Sequence, residues 1–269
     1  MSTTIASKIP QQKHSGLTWF FIDSWVMVKR SLLQIRQDPE QLLGLTIQPI
    51  MFVVLFRYVF GGAIDTGGVS YVNFLMAGIF VQTAAFGSTM SSYSVAIDLE
   101  KGIMDRFRSL PMVKSAVLTG HVTADLFRNL LATAVMVGAG LAVGFRPEAS
   151  PSEWVLAIAL LLFFSYSLSW LFVLVALVGK SIQFVQQFGF ILIFPLTFVS
   201  SAFVPVSTMP SWLRVFAENQ PLTHLIEAIR ALLVGTPVGN HVGWTVVWSC
   251  IILVVGLTVT TTIFRRKAK

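Results

Sequence analysis

Cysteine, histidine and charge are all scarce in this chain. Its 269 residues include one cysteine and four histidines, and only 12% are charged. The single cysteine, Cys250, excludes an intrachain disulfide, and its place inside an apolar run marks it as a small core residue. The histidines, at 14, 121, 224 and 241, are scattered without the spacing that metal ligands need. No G-x-x-x-x-G-K-[ST] phosphate loop, H-E-x-x-H helix or G-x-S-x-G elbow occurs. The reading is therefore of a chain with no metal site, no catalytic cluster and no nucleotide hydrolysis of its own. A signal peptide is also not expected, because Asp23 interrupts the first apolar stretch and Lys29-Arg30 follows without a cleavage site.

What the chain has in excess is apolar surface. It is 55% hydrophobic with a mean hydropathy of +0.76, more than one soluble core can hide, so the excess is expected to face lipid. A hydrocarbon layer of about 30 Å needs about 20 apolar residues per helix. On that measure the expected spans are 41–60, 71–95, 122–145, 154–178, 184–204 and 243–264. Before them, 17–36 mixes Trp19, Trp25, Leu32 and Leu33 with Lys29, Arg30 and Arg36, the pattern of a helix lying in the interface. Residues 205–242 read either as two short half-inserted helices on the outer side or as an amphipathic surface helix.

The distribution of Lys and Arg sets the orientation. Fourteen of the 19 fall on the side that carries both termini, three on the other, and Arg57 and Arg128 lie within spans. The positive-inside rule then places both ends in the cytosol. The net charge of +7 is concentrated beside the membrane, which points to anionic headgroups or an acidic partner rather than nucleic acid.

Three constellations stand out. In the segment 98–111, Leu99, Ile103, Phe107 and Leu110 give an apolar face and Glu100, Lys101, Asp105, Arg106 and Arg108 a charged one, with Pro111 as terminator. This is either a cytosolic helix resting on headgroups or a docking element for a soluble partner. In the second span, Gly78, Gln82, Ala85, Thr89 and Ser92 form a stripe of small and polar groups that serves close packing or lines a polar path, and Gly140-x-x-x-Gly144 is a weaker packing signal. With Gln48 of the first span, Gln82, Thr89 and Ser92 are the candidates for a translocation path. Asp125 and Arg128, three residues apart on one helix face, read as a structural ion pair, and Arg57 as a side chain reaching the outer interface.

Taken together these residues resemble the type-2 permeases of ATP-binding-cassette exporters, in particular the daunorubicin-resistance-like membrane subunits of bacteria. The resemblance rests on Glu100-Lys101-Gly102 followed by Arg106-Phe107-Arg108-Ser109-Leu110-Pro111, on Gly120, Asp125, Arg128 and Gly144-Phe145-Arg146-Pro147, and most densely on Phe194 through Pro205. Met209-Pro210, Trp212-Leu213, Pro221 and Arg230 extend it, while His121 and Gln220 depart from the residues common in the family. It implies an all-α integral membrane protein with six spans, cytosolic termini and an outer re-entrant segment between the fifth and sixth. Residues 1–40 would be the tail and interfacial helix, and 41–269 the permease domain, in a bacterial cell membrane. It also implies two ATP-binding-cassette ATPase subunits that bind ATP and magnesium, contacted through Glu100, Lys101, Gly102, Arg106, Arg108 and Pro111. A second permease chain, identical or paralogous, completes the assembly, and this chain needs no cofactor. Export of an amphipathic drug, natural product or lipid is the expected function. Export of a lipid-linked glycan is the alternative within the family, and a proton-coupled carrier the alternative outside it.

Overall fold

The computed structural model describes residues 22, 25, 26, 28–30, 33, 39–62, 64, 66, 68–103, 114–179 and 181–267, and among these it is helical without strands. Helix α1 is Pro39–Leu55 and runs on into a π-helical turn, Phe56–Phe60; α2 is Tyr71–Gly87, α3 Thr89–Glu100, α4 Lys114–Val143 and α5 Pro151–Val178. Helix α6 is Ile182–Phe198, α7 Ser211–Asn219, α8 Pro221–Val234 and α9 His241–Lys267.

Four stretches are long and apolar enough to cross a bilayer: Tyr71–Glu100, Val117–Val143, Pro151–Val178 and His241–Phe264. Two shorter apolar helices, Thr46–Phe60 and Ile182–Phe198, occupy the places of the first and fifth expected spans. In an apolar solvent each backbone group must be satisfied within its own segment, and the helix ends show how this chain manages it. Ser150 and Glu153 form a reciprocal capping box at the start of α5 with Pro151 at the first helical position, and the Ser181 hydroxyl accepts from the Phe184 amide to begin α6. Pro221 opens α8 and Gly235, in the left-handed conformation, closes it.

Helix α5 is the hub, packing against α2, α3, α4, α6, α8 and α9, while α2 is enclosed by α1, α4 and α8. Close approach at two points depends on glycine. A Cβ on Gly78 would lie 2.4 Å from the Ala202 carbonyl oxygen, and one on Gly256 3.0 Å from the Leu171 amide nitrogen. Gly78 of the stripe is thus a packing residue.

Several expectations are corrected. The charged segment is not a separate helix from 98 onwards: α3 continues the second span to Glu100, and Gly102, at φ +64°, turns the chain because a side chain there would be strained. Asp98 lies inside the bundle, 3% exposed. Gly144 terminates α4 at φ +104° instead of supporting a helix crossing, and Gly140 meets the Met76 side chain. Cys250 is exposed on α9, because an apolar run facing lipid has no need to face inward. The 205–242 stretch does contain two short helices: α8 is almost wholly buried, and α7 exposes Trp212, Val215 and Phe216.

Candidate functional site

Helices α1, α2, α3 and α6 enclose a cavity of about 360 Å³. Gly44, Gln48, Pro49 and Phe52 line it from α1, Gln82 and Phe86 from α2, Thr89, Met90 and Tyr93 from α3, and Gln186 from α6. Three of the four translocation-path candidates, Gln48, Gln82 and Thr89, therefore meet in one place. Ser92 is not in the lining; its hydroxyl donates to the Thr89 carbonyl at 2.5 Å, one helical turn back. Pro49 and Gln186 lacked a sequence signal, because a lone proline or glutamine in an apolar helix has many structural uses.

The chemistry of the cavity is mostly apolar with a few convergent amides, the usual composition of a small-molecule pocket. Phe52, Phe86, Met90 and Tyr93 supply the walls. Pro49 inside α1 removes the amide that would bond the residue 45 carbonyl, so backbone polarity is added beside Gln48. Gln82 is 1% exposed, and neither its Nε2 nor its Oε1 has a hydrogen-bond partner. A buried amide without a protein partner costs about 1–3 kcal/mol unless water or a bound molecule in the cavity meets it. The cavity shares Gly44, Gln48 and Phe52 with a second hollow of about 390 Å³ on the exposed face of α1, formed with Ile47, Met51 and Leu55. It is thereby continuous with the apolar surface of the bundle. Beyond it, Phe194, Phe198, Phe203 and Phe56 form a file of rings between α6 and α1, with successive centroids 4.4, 4.8 and 4.5 Å apart.

Beside the cavity, at the level of Ser88 and Ser91, polar groups join α3, α4 and α5. The Arg128 guanidinium and the Ser91 hydroxyl donate to Asp125, and the Ser169 hydroxyl lies 3.5 Å from it, so the expected Asp125–Arg128 pair is present and buried. Asn129 donates to Ser165, whose carbonyl accepts from Ser88 at the α2–α3 junction. Nearer the end of the bundle, Asp98 accepts two bonds of 3.2 Å from Arg30 and lies 3.1 Å from His121 Nε2. His121, a departure from the family pattern, is here a partner of a buried carboxylate.

Two residues further along, Glu100 and Lys101 are exposed, and Glu100 borders a groove of about 380 Å³ with Leu99, Gly179, Ser181, Ile182 and Gln183. Arg106, Arg108 and Pro111 lie outside the described residues, so only Glu100, Lys101 and Gly102 of the docking set are placed.

Comparison with known proteins settles the family. The model of the ABC-2 type transporter family matches residues 23–234. The chain belongs to the ABC-2 type transporter family. This ABC-2 chain is 32% identical over 238 residues to the daunorubicin resistance ABC transporter permease protein DrrB1 of Streptomyces coeruleorubidus, covering 88% of this chain and 84% of that one. It is 26% identical over 258 residues to the probable doxorubicin resistance ABC transporter permease protein DrrC of Mycobacterium tuberculosis, covering 89% and 88%. Nodulation protein J of Rhizobium leguminosarum bv. trifolii is 25% identical over 234 residues, covering 84% and 86%. The family resemblance read from the motifs is borne out, and the four long apolar helices agree with an ABC-2 membrane protein.

Proposed function

We propose that this chain is the permease of an ATP-driven exporter that moves an amphipathic drug, natural product or lipid out of a bacterial cell. The observation that carries the reading is Gln82: a buried amide with a free donor and a free acceptor, set in an apolar cavity that opens towards the lipid-facing surface. Such a site suits a cargo that arrives from the membrane, is mostly apolar and presents one polar edge. The relatives named as daunorubicin and doxorubicin resistance permeases favour a drug or natural product.

In this reading Thr46–Phe60 and Ile182–Phe198 join the four long helices to make six spans within a 41–269 permease domain. Both termini lie in the cytosol, 1–40, most of which lies outside the described residues, supplies the cytosolic tail and interfacial helix, and α7 and α8 form the outer re-entrant segment. Two ATPase subunits, which hold ATP and magnesium, dock at 100–111 and the adjoining groove, and a second permease chain completes the transporter. Helix α3 is the link between the two ends. It carries Met90 and Tyr93 at the cavity and Glu100 at the docking turn, about 11–15 Å away at 1.5 Å per residue. Asp98, held by Arg30 and His121, moves with that turn, so a displacement imposed at Glu100 reaches the cavity wall through one rigid helix.

The test is reconstitution of this chain in lipid with its ATPase subunit, measuring cargo-stimulated ATP hydrolysis and copurification. Gln82→Leu is expected to keep assembly and basal hydrolysis while losing stimulation; Glu100→Ala with Arg106→Ala is expected to lose assembly or stimulation while remaining folded. Unchanged stimulation in Gln82→Leu refutes the cavity as the cargo site, and unchanged assembly and stimulation in the double variant refute the docking role.

A further inference from the structure

His224 and His241 are 17 residues apart, without ligand spacing in the sequence, yet the fold brings them together. Their Nδ1 atoms are 3.2 Å apart and their ring centroids 5.4 Å. His224 is 8% exposed, and Trp244 stacks on it at 5.9 Å and 17°. At that distance one Nδ1 must carry a proton and donate it to the bare Nδ1 of the other, so the contact is a hydrogen bond when the pair holds at most one extra proton. With both rings charged, both Nδ1 atoms become donors and the bond becomes a repulsion.

Charged groups on the surrounding elements do not offset this. Glu227 of α8 is engaged by Arg230 at 2.6 Å, Glu153 of α5 by its cap at Ser150, and Arg214 of α7 by the Ser207 and Met209 carbonyls. Arg146, ahead of α5, is spent on the Leu141 and Phe145 carbonyls, and Glu148 and Glu218 form no ion pair with either imidazole. Helix α2, which also packs on α8, contributes no charged side chain.

The place of the pair gives it a role. One turn before His224, the Gln220 amide donates to the Leu196 and Val199 carbonyls at 2.9 Å each, closing the end of α6. The first turn of α8 is thus a junction of three elements, tied to α6 by Gln220 and to α9 by the histidines. We infer that the His224–His241 pair is a proton-operated latch: near neutral pH it holds the first turn of α8 against the start of α9, and double protonation in acid releases that turn. Burial and the neighbouring His241 both hold the His224 imidazole below its usual range, so the release falls on the acid side of ordinary histidine titration.

The experiment is hydrogen exchange of the full-length chain in nanodiscs at pH 7.5 and 5.0, corrected for the intrinsic pH dependence of exchange. Peptides covering 219–226 and 241–246 are read in wild type, His224→Gln, His241→Gln and His121→Gln. Acid places two charged rings with their Nδ1 atoms 3.2 Å apart, so it is expected to speed exchange in these peptides severalfold in wild type and His121→Gln. Both latch variants should exchange at a rate that acid leaves unaltered. If acid leaves the wild-type peptides unchanged, or speeds them equally in both latch variants, the latch is refuted. It is refuted also if micromolar zinc at pH 7.5 protects these peptides in wild type alone, since the pair is then a metal site. Because His241 is only half buried, its variant preserves the test should His224→Gln fail to fold.

Discussion

Replacing Arg230 by methionine keeps most of the side chain's apolar stem and removes its guanidinium, at a cost set by the groups that guanidinium holds. Arg230 is 3% exposed; it donates to the Phe74 carbonyl at 3.1 and 3.3 Å, to the Ser201 carbonyl at 2.6 Å and to Glu227 at 2.6 Å, and sits 3.7 Å over the Phe74 ring. It therefore ties α8 to α2 and to the turn after α6. The Phe74 carbonyl retains its own helical bond, but the Ser201 carbonyl and the Glu227 carboxylate lose a charged donor. Removing one member of a buried, hydrogen-bonded charge cluster costs about 3–5 kcal/mol. For a chain of this size each kcal/mol lowers the melting temperature by about 2–4 °C, so the apparent Tm should fall by roughly 6–20 °C. Intrinsic tryptophan fluorescence of the purified protein in detergent reads this directly. Arg230→Lys should fall between, keeping the charge without the fork that reaches several acceptors at once. Glu227→Gln keeps a neutral acceptor but removes the countercharge of the buried guanidinium, and should lower Tm by less than Arg230→Met does. A fall of less than about 2 °C in Arg230→Met would show that the guanidinium does not pin these elements.

Other outcomes rest on the same geometry. Gln82→Leu should raise thermal stability, by up to about 1–3 kcal/mol, because it removes an unpartnered buried amide; a lower Tm would mean that the amide is satisfied in the folded protein. Gly78→Val places a Cβ against the Ala202 backbone at 2.4 Å and should destabilise by about 1–3 kcal/mol or prevent folding, measured as yield and Tm; wild-type values would deny the close approach. Acidification should lower stability through His224: its folded-state affinity for a proton is depressed, so the unfolded chain binds more protons as pH falls below the ordinary value of 6.5. The stability present above that value is then lost on the acid side. A Tm series from pH 7.5 to 5.0 should show this fall in wild type and a shallower one in His224→Gln.

Helices of this protein are easier to read in its sequence than its contacts. The spans follow from apolar length, which needs no knowledge of neighbours, and α5 ends at Val178, where the expected fourth span ends. A second span that stops before Asp98 is the natural expectation, because a carboxylate in an apolar helix is costly. That expectation misses Arg30 and His121, distant in the chain, which satisfy the charge. The stripe at 78–92 is visible in the sequence, but only packing separates its members: Gly78 is closed by Ala202, while Gln82 and Thr89 open on the cavity. His224 and His241 have no local pattern because their contact is made by two different helices.

Cys250 has a consequence for how this protein can be studied. An exposed thiol that is unique in the chain is a natural reporter, since an oxidised dimer can only join Cys250 to Cys250. A disulfide requires Cα atoms about 4.4–6.8 Å apart, and pairing of a residue with its own copy requires a two-fold axis beside it. Mild oxidation of the unmodified protein therefore asks whether α9 faces a second chain, and a lipid-soluble maleimide asks whether it faces the bilayer, without a single engineered cysteine.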